Sequence, residues 1–101
     1  MKTSIIAELS VSPRSIDTVS LSKPIREALR ILHSIDGLSL ETHAMGTNIE
    51  TNDLDLLLEG VKKVQNYLIE RYPRVVTTLK IDQRKDKPNR TMEEKTKSVE
   101  V

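Results

Sequence analysis

The stretch Met45-Gly46-Thr47-Asn48-Ile49-Glu50 decides how this chain folds. It reads as a strand end, a tight backbone feature at Gly46, and a second short strand. Glycine has no Cβ, so Gly46 can take a positive φ or let another group approach the backbone closely. Thr47 and Ile49 are β-branched and alternate with Asn48 and Glu50, so one face leans apolar and the other polar. A carboxylate on such a face is ordinarily a solvated surface group. The alternative for Glu50 is a carboxylate placed to meet a cation or an amine.

Working outward, Leu38, Leu40, Thr42 and Ala44 alternate with Ser39, Glu41, His43 and Met45, and the gap to the next strand is short enough for a hairpin. Upstream, Ile25, Ala28, Leu29, Leu32 and Ile35 make one helical stripe, with Arg26, Glu27, Arg30 and Ser34 opposite. Ser20 or Ser22 can cap that helix, Pro24 fits its first turn, and Asp36-Gly37 stops it. Before it, Ile5 to Val11 alternates as a half-buried strand ended by Ser12-Pro13, with a loop from Arg14 to Ser20.

Downstream, Asn52 or Asp53 caps a second helix whose stripe is Leu54, Leu57, Leu58, Val61, Val64, Leu68 and Tyr72. Leu56 and Tyr67 fall off that stripe, either as scattered surface hydrophobes or as a subunit contact. Tyr72-Pro73 ends the helix. Val75, Thr77, Leu79 and Ile81 alternate with Val76, Thr78, Lys80 and Asp82 as a fourth strand. Thr91-Met92-Glu93-Glu94 fits a capping box, so a short helix should run toward Val99.

The order βαββαβ plus a terminal helix predicts an α+β, ferredoxin-like fold: an antiparallel four-stranded sheet with two helices on one face and a short C-terminal helix. The helices should cover Ile5, Leu9, Leu38, Leu40, Ile49, Val75 and Leu79. The other face would carry Ile6, Glu8, Ser10, Glu41, His43, Asn48, Glu50, Val76, Thr78 and Lys80, and two copies packed there could enclose a small polar ligand.

The 101 residues suit one domain over 1–101, with a C-terminal extension from about 84 to 101. Without Phe or Trp, its core must be built from Ile, Leu and Val, and so small a domain gains from oligomerisation. A net charge of +1 gives no electrostatic footprint for nucleic acid or an anionic membrane, so neither is expected as a partner. Stacking of RNA bases on the sheet needs aromatic residues, and both tyrosines fall in or at the end of the second helix. Absent cysteine excludes disulfides and thiol chemistry. With no membrane-length apolar run and no signal-peptide core, a cytoplasmic protein is expected.

Catalytic patterns are not found. His33 reads as a surface histidine. His43 shares a strand face with Glu41, but two residues do not make a zinc site, so no metal is expected. There is no nucleophile elbow and no Gly-rich phosphate loop. Glu8, Glu41 and Glu50 lack any sign of a shaped pocket for proton transfer. The charged run Gln83 to Arg90 reads as a solvated loop, with a phosphate or carboxylate contact as the lesser alternative. The expectation is a protein that is not an enzyme and carries no cofactor.

Several stretches together resemble the small thiamine-binding-protein-like family. They are Ile5-Ile6-Ala7-Glu8-Leu9-Ser10-Val11 followed by a Pro and a Ser-rich helix entry, then Met45-Gly46-Thr47-Asn48-Ile49-Glu50. Arg74 to Arg84, Lys85-Asp86-Lys87 and Thr91-Met92-Glu93-Glu94-Lys95 complete the set. The resemblance runs over nearly the whole chain, with its elements in order. It implies a ferredoxin-like subunit, a homotetramer built as a dimer of dimers, and binding of thiamine or its hydroxymethylpyrimidine moiety without a known reaction. The aminopyrimidine offers an amine donor and ring nitrogens, and the thiazolium is a cation that favours a nearby carboxylate. Candidate ligand contacts are Glu50, Thr47, Asn48, Met45 and Gly46 around the hairpin, with Ser10, Glu8, Thr78 and Lys80 across the sheet. For each, packing within a subunit interface is the competing role. The rival reading of the whole chain is an interaction module whose polar sheet face serves homo-oligomerisation alone.

Overall fold

A computed structural model describes residues 3–14 and 20–100. The elements run β1 (Ser4–Arg14), α1 (Ser22–His33), β2 (Ser39–His43), β3 (Gly46–Thr51), α2 (Leu54–Ile69), β4 (Arg74–Arg84) and α3 (Met92–Lys97). The sheet is antiparallel with strand order β2-β3-β1-β4, the ferredoxin-like α+β arrangement expected from the element order. Most of the expected loop from Arg14 to Ser20 lies outside the described residues.

β1 is longer than the alternation suggested. It runs through Ser12-Pro13 and pairs with β4 from Ser4↔Arg84 to Arg14↔Arg74, whereas β3 accompanies it from Ile5 to Leu9 and no further. Beyond Leu9 one side of β1 has no ladder to supply among the described residues, and there a residue without an N–H is tolerated. Proline therefore does not end this strand.

The register sorts the side chains. Ile5, Ala7, Leu9 and Ile49 turn toward α1 and α2 and form the core with Ala28, Leu32, Leu57, Val64 and Leu68. Neither predicted serine provides the side-chain cap of α1. Leu21 holds the cap position without a side-chain bond, and Ser20 Oγ accepts from the Ser22 N–H at 3.5 Å. α1 ends at His33, ahead of Asp36-Gly37, and Gly37 at φ +96° turns the chain into β2. A side chain at position 37 would also run into Leu56.

In α2, Asp53 caps the first turn by accepting from the Leu56 N–H at 3.1 Å. Its buried line is Leu57, Gly60, Val64 and Leu68, so Leu54 and Leu58 are exposed although the sequence stripe included them. Tyr67, expected off the stripe, packs against the core. The cause is Gly60. The tips of Leu32, Ile35 and Leu38 all reach the point where its Cβ would stand, so α2 presents its glycine to α1.

α3 sits on the sheet face that α1 and α2 leave open. Thr91 caps it by accepting from the Glu94 N–H at 3.1 Å, as the capping pattern predicted. Two carboxylates from the sheet dock it. Glu50 Oε2 accepts from the Met92 N–H at 2.8 Å, and Asp82 Oδ2 accepts from Lys95 Nζ at 2.8 Å. Among the described residues, no helix is long and apolar enough to cross a membrane.

Candidate functional site

A two-residue turn, Ala44-Met45, joins β2 to β3, with His43 opposite Gly46. It contains no positive φ, so Gly46 is needed for the other reason available to glycine. A Cβ there would lie 2.9 Å from the carbonyl oxygen of Leu9, and β1 could not pass so close. The His43 ring closes the turn. Its Nδ1 accepts from the Met45 N–H at 3.3 Å, which leaves Nε2 as the protonated nitrogen, 3.2 Å from Glu8 Oε2.

This close approach of hairpin and β1 forms one wall of a cavity of about 280 Å³. α1 forms the other wall through Ile25, Leu29 and Leu32 with Leu21 at its cap, and Ser10, Met45, Gly46 and Thr47 line the strand side. The size is at the lower edge of the roughly 300–1,000 Å³ typical of small-molecule sites. Thr47 is 6 % exposed, and its hydroxyl makes no hydrogen bond among the described residues. An unpartnered hydroxyl on a largely apolar wall suits a flat ligand with one or two polar edges.

The candidate contacts read from sequence divide among separate places. Ser10, Met45, Gly46 and Thr47 line the cavity beside α1. Glu8, Asn48 and Lys80 instead line a groove between the open sheet face and α3. Thr78 stands exposed on that face, next to Ser10 across the β1–β4 ladder. Glu50 is engaged by the N-terminus of α3. Strand alternation explains the division. Thr47 and Thr51 share the helix side with Ile49, while Asn48 and Glu50 point the other way.

Many polar groups of the open face serve one another. Asn48 Nδ2 donates to Glu41 Oε1 at 3.3 Å, and Glu8 faces His43. Asp82 accepts from Lys95 and from Arg90 Nη1, the latter at 3.1 Å. The hydrogen bonds from Lys95 and then Arg90 hold the Asp82 carboxyl below the usual carboxylate range. Arg90, read from sequence as part of a solvated run, has its side chain only 8% exposed. Its carboxylate partner belongs to this same chain, which strand periodicity could not reveal. The α1 wall of the cavity was also missed as a site, because Ile25, Leu29 and Leu32 read simply as core.

A sequence profile of the thiamine-binding protein family matches residues 7–100. The chain belongs to that family. It is 40% identical to a UPF0045 protein of Methanocaldococcus jannaschii over 95 residues, 94% of this chain and 91% of the relative. A UPF0045 protein of Methanothermobacter thermautotrophicus is 38% identical over 96 residues, 94% of this chain and 95% of the relative. Among solved structures, the Methanocaldococcus protein superposes with a TM-score of 0.86 at 39% identity, covering 98% of this chain and 97% of the other. A candidate thiamine biosynthesis/salvage protein from Thermotoga maritima superposes with a TM-score of 0.77 at 26% identity, covering 96% and 99%. Membership in the thiamine-binding protein family supports a binding role for this chain.

Proposed function

We propose that this protein is a non-catalytic binder of thiamine or its hydroxymethylpyrimidine moiety, with the pyrimidine seated between α1 and the β2–β3 turn. The observation that carries this reading is the unpartnered hydroxyl of Thr47, a residue only 6% exposed that lines that cavity and belongs to the stretch most specific to the family resemblance. A pyrimidine presents two apolar faces and a polar edge. Leu9, Val11, Ile25 and Leu29 meet the faces, and Thr47 meets the edge. The cationic thiazolium then lies toward the β2–β3 turn, where His43 lines the cavity and is itself paired with Glu8 on the open sheet face.

The same reading has the subunit assemble as a dimer of dimers. β4 offers an eleven-residue edge with no partner strand among the described residues, and Val76 and Ile81 on it are each 40% exposed. Such an edge is a template for pairing with another chain.

The test is titration calorimetry with thiamine and, separately, hydroxymethylpyrimidine, on protein whose assembly is fixed by light scattering. Saturable binding near micromolar (roughly −8 kcal/mol) is expected. Thr47→Val should weaken it on the order of tenfold with assembly unchanged, since one hydrogen bond is lost. Glu50→Gln should leave affinity intact. Affinity that follows Glu50 and ignores Thr47 would move the site to the open sheet face. No heat from either compound, on an intact oligomer, would favour an interaction module.

A further inference from the structure

Met45 is the most exposed large hydrophobic residue among those described, at 81%. The others are Leu54, Leu58 and Ile69 on α2, Val76 and Ile81 on β4, and Val99 near the C-terminus. No other large apolar side chain among the described residues is exposed on the β2–β3 hairpin, and a subunit contact is ordinarily made by a patch rather than by one arm. Met45 does, however, line the cavity beside α1, which is not sealed from solvent.

The backbone of Met45 is anchored, while little packs against its side chain. Its N–H is held by His43 Nδ1 at 3.3 Å, and the next residue, Gly46, fits against the Leu9 carbonyl with no room for a Cβ. From that fixed Cα runs an unbranched, flexible thioether that can turn over the cavity without moving the hairpin. The cavity lacks any other group suited to a ring. The chain has neither Phe nor Trp, and Tyr67 and Tyr72 pack against the core. Thioether sulfur makes favourable contacts with aromatic rings at a separation of roughly 5 Å.

We propose, on the reading that this cavity seats a pyrimidine, that Met45 is its movable cover. The thioether folds over the bound ring where the cavity opens to solvent, and so supplies the contact that an aromatic platform would otherwise make. The probe is hydroxymethylpyrimidine, added to full-length protein carrying ¹³C-methyl methionine, with the heat of binding measured in parallel. The chain has three methionines, and the Met45 methyl signal is identified by its loss in Met45→Leu. A saturable upfield shift of that methyl is expected, from the ring current of the pyrimidine, with the Met92 methyl unmoved. Met45→Ala should weaken binding on the order of tenfold, since the apolar area covered on binding is lost. Met45→Leu keeps an apolar cover without the sulfur and should fall between Met45→Ala and wild type. The Tm of ligand-free Met45→Ala should match wild type, because so exposed a side chain adds little to the fold. Heat of binding with an unshifted Met45 methyl, or unchanged affinity in Met45→Ala, would overturn the cover and leave the binding reading standing. Neither heat nor shift would overturn both. A smaller oligomer in Met45→Ala with unchanged affinity would make Met45 a subunit contact and overturn the cover alone.

Discussion

The two faces of this sheet are held by different forces. On the helix side, Ile5, Ala7, Leu9 and Ile49 are sealed against Leu32, Leu57, Val64 and Leu68. That side is stabilised by removing apolar area from water, roughly 25 cal/mol per Å², without regard to direction. On the other side, α3 is docked by Glu50 on the Met92 N–H and by Asp82 on Arg90 and Lys95. Those contacts are directional, partly solvated and weakened by salt. The contrast teaches that the fold rests on the helix side, while the position of α3 is set by a few separable carboxylates.

The largest effect expected is on the helix side. Leu57→Ala empties a fully buried position and should cost about 2–5 kcal/mol, read by denaturant unfolding. A cost below about 1 kcal/mol would mean the core collapses around the gap and would blur the contrast between the faces. Next comes the join between β1 and the hairpin. Gly46→Ala places a Cβ 2.9 Å from the Leu9 carbonyl oxygen, and backbone cannot swing aside as a flexible side chain can. About 1–3 kcal/mol of destabilisation is expected, visible in thermal unfolding and in a weaker β1–β3 ladder by hydrogen exchange. An unchanged Tm would show that the two strands can separate without penalty.

The smallest effect belongs to the polar face and should be local. Asp82 is 39% exposed, so Asp82→Asn should cost no more than about 1 kcal/mol overall. It should nevertheless strip α3 of hydrogen-exchange protection while leaving α2 protected. The wild type gives the same answer by titration. The folded-state pKa of Asp82 lies below its ordinary value, so its contribution is complete above the usual range near ~3.9 and is lost as pH falls through the lower folded value. Protection of α3 should decline in that acid window, ahead of the core, and the decline should vanish in Asp82→Asn. If α1, α2 and α3 lose protection together, the two faces are one cooperative unit.

Much of the fold was legible because periodicity is local. The alternation of Thr47, Asn48, Ile49 and Glu50 and the Ala28/Leu32 stripe are each set by neighbours a few residues away. The misreadings share another cause. Whether Pro13 can stay in a strand depends on where β3 stops. Whether Leu58 or Tyr67 is buried depends on α1 meeting Gly60. Of the candidate site, the Met45-Gly46-Thr47 stretch was found, but as part of a single sheet-face set that the strand pleat divides.

By itself, then, the sequence determined the order of elements, the face each strand residue takes and the family the chain resembles, since all three are written in spacing along the chain. The tertiary structure alone decided which of those faces closes into a cavity, and that Glu50 and Asp82 spend their charge on α3. It also decided that Ser4 and Arg90 line one cavity. These depend on contacts between residues tens of positions apart, whose geometry exists only once the sheet has formed.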